Sequence, residues 1–217
     1  MTSVHPSAGP ARDLLRDVEH AHRHAGAALD DPAQSPLAAV TWGSAHLAAV
    51  THVLHPLACG TLPDGRQRVR AQAATDHRLE LALWQLDRRL TGDVQLQRVG
   101  VPALVGAVRR ALDAHAEQER ALVADLAEHL APERLEQVGA DLARALLRAP
   151  TRPHPDTRHG RLVGGLAFWA DGIVDRIRDS LDSRTVPTPR RVVVPRPMTR
   201  WGAYALGGAL PKDDRQG

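Results

Sequence analysis

His115 and Glu119 stand one helical turn apart inside the apolar series Leu104, Val105, Val108, Leu112, Leu122, Val123, Leu126 and Leu130. That series repeats every three or four residues, the signature of a helix with one buried face. An imidazole and a carboxylate on such a face are costly to bury unless something pairs with them. They can satisfy each other and a neighbouring helix, or they can hold a metal ion. The rest of the chain decides how many further groups reach the same level.

Helical phase, at about 100° per residue, sorts the other polar side chains. In the first helical stretch His22 falls in series with Leu14, Leu15, Val18, Ala25 and Leu29, while His20 and His24 point away. In the second, His46 precedes Val50, Val53, Leu54 and Leu57 on their face, and His52 and His55 are expected to face outward. In the third, with its stripe at Leu79, Leu83, Leu86 and Leu90, Asp76 lies about 50° from the stripe centre and His77 roughly 150° from it. Asp76 is therefore the expected inward group, although Leu81 and Trp84 suggest a second buried face beside His77. His22 and His46 both fall roughly 12–15 Å from the turn that joins their helices, and Asp76 and His115 lie mid-helix within a turn of that level. His22, His46, Asp76, His115 and Glu119 are thus the candidate metal ligands. Nitrogen and carboxylate donors from facing helices are how helical bundles build iron and manganese sites.

The elements that would position these groups are helices. The chain is rich in Ala, Leu and Arg, with few β-branched alternations. The pattern predicts helices over about 10–29, 36–57, 66–90 and 102–130, and a shorter one from Pro132 that ends by Pro150. Ser35 is the expected N-cap of the second, and Pro10, Pro36, Pro102 and Pro132 suit first helical turns. Gly60, Pro63 and Gly65 predict a turn over 59–65. The fold expected is all-α: an up-down-up-down four-helix bundle over residues 10–149, with additional C-terminal helices and a Pro/Arg-rich tail. A leader, 1–9, precedes it. Residues 150–183 form a proline-locked linker followed by an amphipathic stretch, 162–181, suited to docking on the bundle or pairing with a second subunit. A basic tail, 184–217, is expected to be disordered or to act as a docking arm.

Charge excludes some functions. Residues 184–217 carry a net +5 of a whole-chain +3, so the remainder is net −2. The basic residues cluster in a Pro-rich tail with only Trp201 and Tyr204, which is no nucleic-acid surface. Asp171, Asp175 and Asp179 on the polar face of 162–181, with Asp182 directly after it, disfavour anionic lipid. No signal-peptide pattern and no apolar run near 18 residues is evident, and the single Cys59 rules out a disulfide framework, so a soluble cytoplasmic protein without a membrane span is expected. No nucleophile arrangement emerges around a Ser or around Cys59, and Gly160–Gly165 follows no strand and is no dinucleotide loop.

These segments resemble the bacterial hemerythrin-like proteins of the HHE cation-binding type, in the form found in actinobacteria. DAHAEQE, with His115 and Glu119, is similar to that family's His-x-x-x-Glu. SAHLAAVTHVLHP is similar to the other such helix at His46, with Pro56 ten residues on. EHAHRH at 19–24 resembles its first-helix signature, DHRLELALWQL its third-helix histidine segment, and 134–155 the sequence that follows the bundle. The resemblance spans about residues 10–183. It implies non-haem iron in the bundle core, and a role in binding or sensing oxygen, peroxide or nitric oxide, or in iron handling, rather than acid–base catalysis.

The chain departs from that pattern in three places. Val50 stands where a carboxylate should follow His46, the third helix offers one His at best, and Arg120 lies five residues after His115. A full di-iron ligand set is therefore not available. What remains is a mononuclear or incomplete site, or alternatively a metal-free bundle acting as a protein-interaction module.

Overall fold

A computed structural model describes residues 9–31, 35–153 and 187–191. The leader up to residue 8, the amphipathic stretch 162–181 and most of the basic tail lie outside the described residues. Within them the protein is all-helical: α1 (Pro10–Asp30), α2 (Pro36–Thr61), α3 (Gly65–Leu90), a 3-10 turn (Val94–Leu96), α4 (Val101–His129) and α5 (Pro132–Leu146), with no strand. Proline opens α1, α2, α4 and α5, where its missing N–H costs nothing. Ser35 caps α2, its hydroxyl accepting from the Leu37 amide at 3.3 Å.

α2 runs one turn further than the sequence predicts, through Pro56 to Thr61. Pro56 is exposed, and the turn beyond it is held from inside, where Ala58 and Leu62 pack on Leu122 and Leu126 of α4. The chain then reverses within Leu62–Asp64. Gly65 is obligatory at that reversal, because a Cβ there would lie 1.9 Å from the Ala58 carbonyl oxygen. The fifth helix ends at Leu146, before Pro150 as expected.

α1 packs on α2 and α4, α3 on α2 and α4, and α5 lies across α1 and α2. Leu14, Val18, Val50, Leu54, Leu79, Leu83, Leu86 and Val108 belong to the main apolar core. Each such side chain contributes roughly 1.5–3 kcal/mol when fully buried. Gly43 lets α2 approach α3 closely: a Cβ there would meet Leu83 Cδ1 at 2.8 Å. That contact lies one turn before His46.

α2 differs from its neighbours in being apolar nearly all round. By length and composition it could cross a membrane, with a mean hydropathy of 1.3 over 18 residues although its apolar run is interrupted. Yet 61% of that stretch is buried within the protein. It touches every other α-helix, the position of a core helix.

Five residues of the Pro/Arg-rich segment, 187–191, lie on α1 and α5. Arg190 donates to Asp17 Oδ1 at 2.8 Å and to Asp13 Oδ1 at 3.2 Å, Arg191 pairs with Asp17, and the Thr188 carbonyl is 3.1 Å from His20 Nε2. Gly139 makes room for this arm, since a Cβ there would come within 2.8 Å of the Arg191 guanidinium.

Candidate metal centre

Three imidazoles and one carboxylate meet between α1, α2 and α4. α4 supplies His115 and Glu119, both with no exposed surface; α1 supplies His22 and α2 His46, both buried. Glu119 Oε2 is the focus, 2.8 Å from His22 Nε2, 2.8 Å from His46 Nε2 and 3.2 Å from His115 Nε2. The His22 and His46 Nε2 atoms are 2.9 Å apart. The three rings stand nearly perpendicular to one another, at 82°, 88° and 85°, so each presents an edge to the same point.

These four donor atoms lie within 4.8 Å of one another, close enough to hold a metal ion. Bonds of about 2.0–2.2 Å to N and O in a tetrahedron place ligand atoms roughly 3.3–3.6 Å apart. The shortest separations here need to open by about half an ångström to reach that range. Three imidazole nitrogens with one carboxylate suit a first-row transition metal rather than calcium or magnesium, which prefer oxygen. His115 Nε2, although 3.2 Å from Glu119 Oε2, makes no hydrogen bond, and the other carboxylate oxygen, Oε1, has no hydrogen-bond partner among the described residues. A buried polar atom left so costs about 1–3 kcal/mol. An ion at the focus would engage His115 Nε2 directly.

The electrostatics make His22 and Glu119 ready as ligands, whereas His115 must give up a proton to bind an ion. Burial pushes His22 down to about 4, helped by the neighbouring His46, so it is neutral at physiological pH. Burial opposes ionisation of Glu119, but His46 and His22 outweigh it and hold the carboxyl well below its ordinary range. Burial likewise disfavours charge on His115, yet Asp76 and Glu119 prevail and raise it to about 9. Asp76 is lowered to about 2: its burial is outweighed by hydrogen bonds from His115 and His55.

Of the sequence-predicted residues, His22, His46, His115 and Glu119 are brought together. Asp76 is buried and His77 exposed, but Asp76 stands apart from the four donor atoms. Its Oδ1 lies 2.8 Å from Nδ1 of His115, on the far side of the ring from Glu119. His24 is exposed and stacks on Trp42, and His52 is exposed, as phase predicts.

His55 corrects the phase argument. Expected to face outward, it is buried, with Nε2 3.3 Å from Asp76 Oδ2. Phase measured against one apolar stripe fails on α2 because that helix is buried on most of its circumference. Gln72 was missed as well. It is buried one turn before Asp76 and donates to Asp76 Oδ1 at 2.9 Å. Its four-residue spacing from Asp76 was the available signal. Val50 is fully buried among apolar side chains, and Arg120 pairs with Glu19 at 3.7 Å.

The chain matches no family model, no curated protein and no solved structure. The case for a metal centre therefore rests on the chain's own geometry.

Proposed function

We propose that the protein binds one transition-metal ion, iron by preference, through His22, His46, His115 and Glu119. The frame is read as an up-down-up-down four-helix bundle of hemerythrin-like type with one metal position. The observation that carries this reading is the convergence of three imidazole Nε2 atoms on one buried carboxylate oxygen. Iron held there would supply open coordination positions and one-electron chemistry toward oxygen, peroxide or nitric oxide. The chain's own part is to aim three imidazole nitrogens at one point, keep Glu119 anionic and exclude bulk water. The role proposed for it is sensing, ligand storage or iron handling. The half-buried free thiol of Cys59 suits a reducing, cytoplasmic setting.

The competing reading is a metal-free bundle in which Glu119 is a buried counter-ion for histidines and the protein acts through its surfaces. Val50 favours it, since an aliphatic side chain stands where a second bridging carboxylate would be needed for two ions. The missing hydrogen bonds at His115 Nε2 and Glu119 Oε1 speak for the metal. Elemental analysis after expression in iron-supplemented medium, comparing wild type with His115→Ala, separates the two. One iron per chain that disappears in the variant supports the centre. Iron near zero, or iron indifferent to the substitution, overturns it.

A further inference from the structure

Behind His115 lies a second buried polar layer that the donor cluster does not use. We propose that Asp76 is a positioning residue for the metal centre: it holds the proton of His115 on Nδ1 and so leaves the Nε2 lone pair free to face the ion. This rests on the metal reading above.

A neutral imidazole carries one ring proton, and the partner of one nitrogen decides the role of the other. His115 has no exposed surface, so bulk water does not make that choice. Asp76 Oδ1, 2.8 Å from Nδ1, can only accept when ionised, which assigns the proton to Nδ1. The Gln72 amide nitrogen lies 3.1 Å from the same Nδ1 and 2.9 Å from Asp76 Oδ1; with the ring proton on Nδ1 it donates to the carboxylate and so holds Asp76 in turn, while His55 Nε2 stands 3.3 Å from Oδ2. His22 shows the contrast: its Nδ1 has no hydrogen-bond partner among the described residues. Asp76 also gives α3 a part in the centre, although α3 sends no residue to the donor cluster. A carboxylate on the far nitrogen of a metal-bound imidazole orients the ring and raises its basicity, and losing it typically weakens metal binding 10–100-fold.

The test uses the full chain, with Zn²⁺ and Co²⁺ as probes. Wild type, Asp76→Asn and Asp76→Glu are compared for dissociation constant by chelator competition and for Co²⁺ absorption. Ring ¹⁵N spectra of Zn²⁺-loaded wild type locate the His115 proton. The expected results are a proton on Nδ1, a 10–100-fold weaker constant in Asp76→Asn with one ion still bound, and partial recovery in Asp76→Glu. A proton on Nε2, or an Asp76→Asn protein that binds as tightly as wild type, overturns the positioning role and leaves the centre standing. The wild-type spectrum settles the matter even if the Asn variant does not fold. A wild-type chain that takes up neither ion overturns the metal reading and this one with it.

Discussion

Two sets of carboxylates carry cationic partners in this protein, in opposite surroundings. On the outer face of α1, Asp13 and Asp17 hold Arg190 and Arg191; Arg190 and Asp13 are about a third exposed and open to water, while Asp17 is covered by the two arginines. In the core, Glu119 and Asp76 face four histidines in a space that water scarcely reaches. Exposed ion pairs are worth about 0–1 kcal/mol, so the outer set can direct where a segment lies but contributes little to folding. Buried charges left unpaired cost several kcal/mol, so the inner set must keep its composition or change its protonation. The same residue types act as a fastening in one place and as a constraint on the whole core in the other.

The strongest way to break this contrast is Glu119→Ala. It leaves three inward imidazoles without their focus and opens a cavity. Urea unfolding should lose about 3–5 kcal/mol, the usual cost of removing one partner of a buried ionic pair, and bound metal should vanish. Undiminished stability would mean that the histidines satisfy one another. Next in size is Val50→Glu, which places a carboxylate at a position with no exposed surface. A loss of roughly 2–3 kcal/mol is expected, with the stoichiometry still at one ion. Two ions per chain would show that only Val50 keeps the second one out.

Acid titration gives a smaller effect with a definite sign. The pKa of Asp76 is lowered to about 2 from 3.8, so its contribution is fully present above pH 3.8 and is lost as pH falls through about 2. The amount is about 2 kcal/mol, at 1.36 kcal/mol per unit. Denaturation midpoints of the metal-free protein should therefore fall more steeply over this window in wild type than in Asp76→Asn. Equal slopes would remove Asp76 from the inner set. The smallest change belongs to the surface: Arg190→Ala should cost under about 1 kcal/mol and leave metal content unaltered. A larger loss would make the 187–191 arm part of the core.

What the sequence disclosed depended on how one-sided each helix is. α1, α3 and α4 each bury one face, and phase along that face separates Asp76 from His77 and aligns His115 with Glu119. α2 has no single face, which is why His55 was placed outside and why the helix was expected to stop at Leu57. Pro56 suggests an end to the helix, but its exposed position removes one hydrogen bond on the solvent side while Ala58 and Leu62 anchor the next turn. Asp76 could be placed inside by phase alone. Its place behind His115 depends on separations of a few ångströms between helices, which periodicity does not encode. The same holds for the seat of Arg191, because nothing in the local pattern connects Gly139 with a residue of the basic segment.

The four donors come from α1, α2 and α4, and α3 is tied in through Asp76. An ion bound at their focus would act as a cross-link among chain segments from residue 22 to residue 119. Such a ligand has no comparable site on the unfolded chain, so its binding energy is added to folding energy. At one hundred times its dissociation constant the addition is about 2.7 kcal/mol. Much of a modest domain's margin would then come from outside the polypeptide. Withdrawal of metal would expose the chain to unfolding and proteolysis, and the surviving quantity of protein would serve as a record of the metal supply it had met.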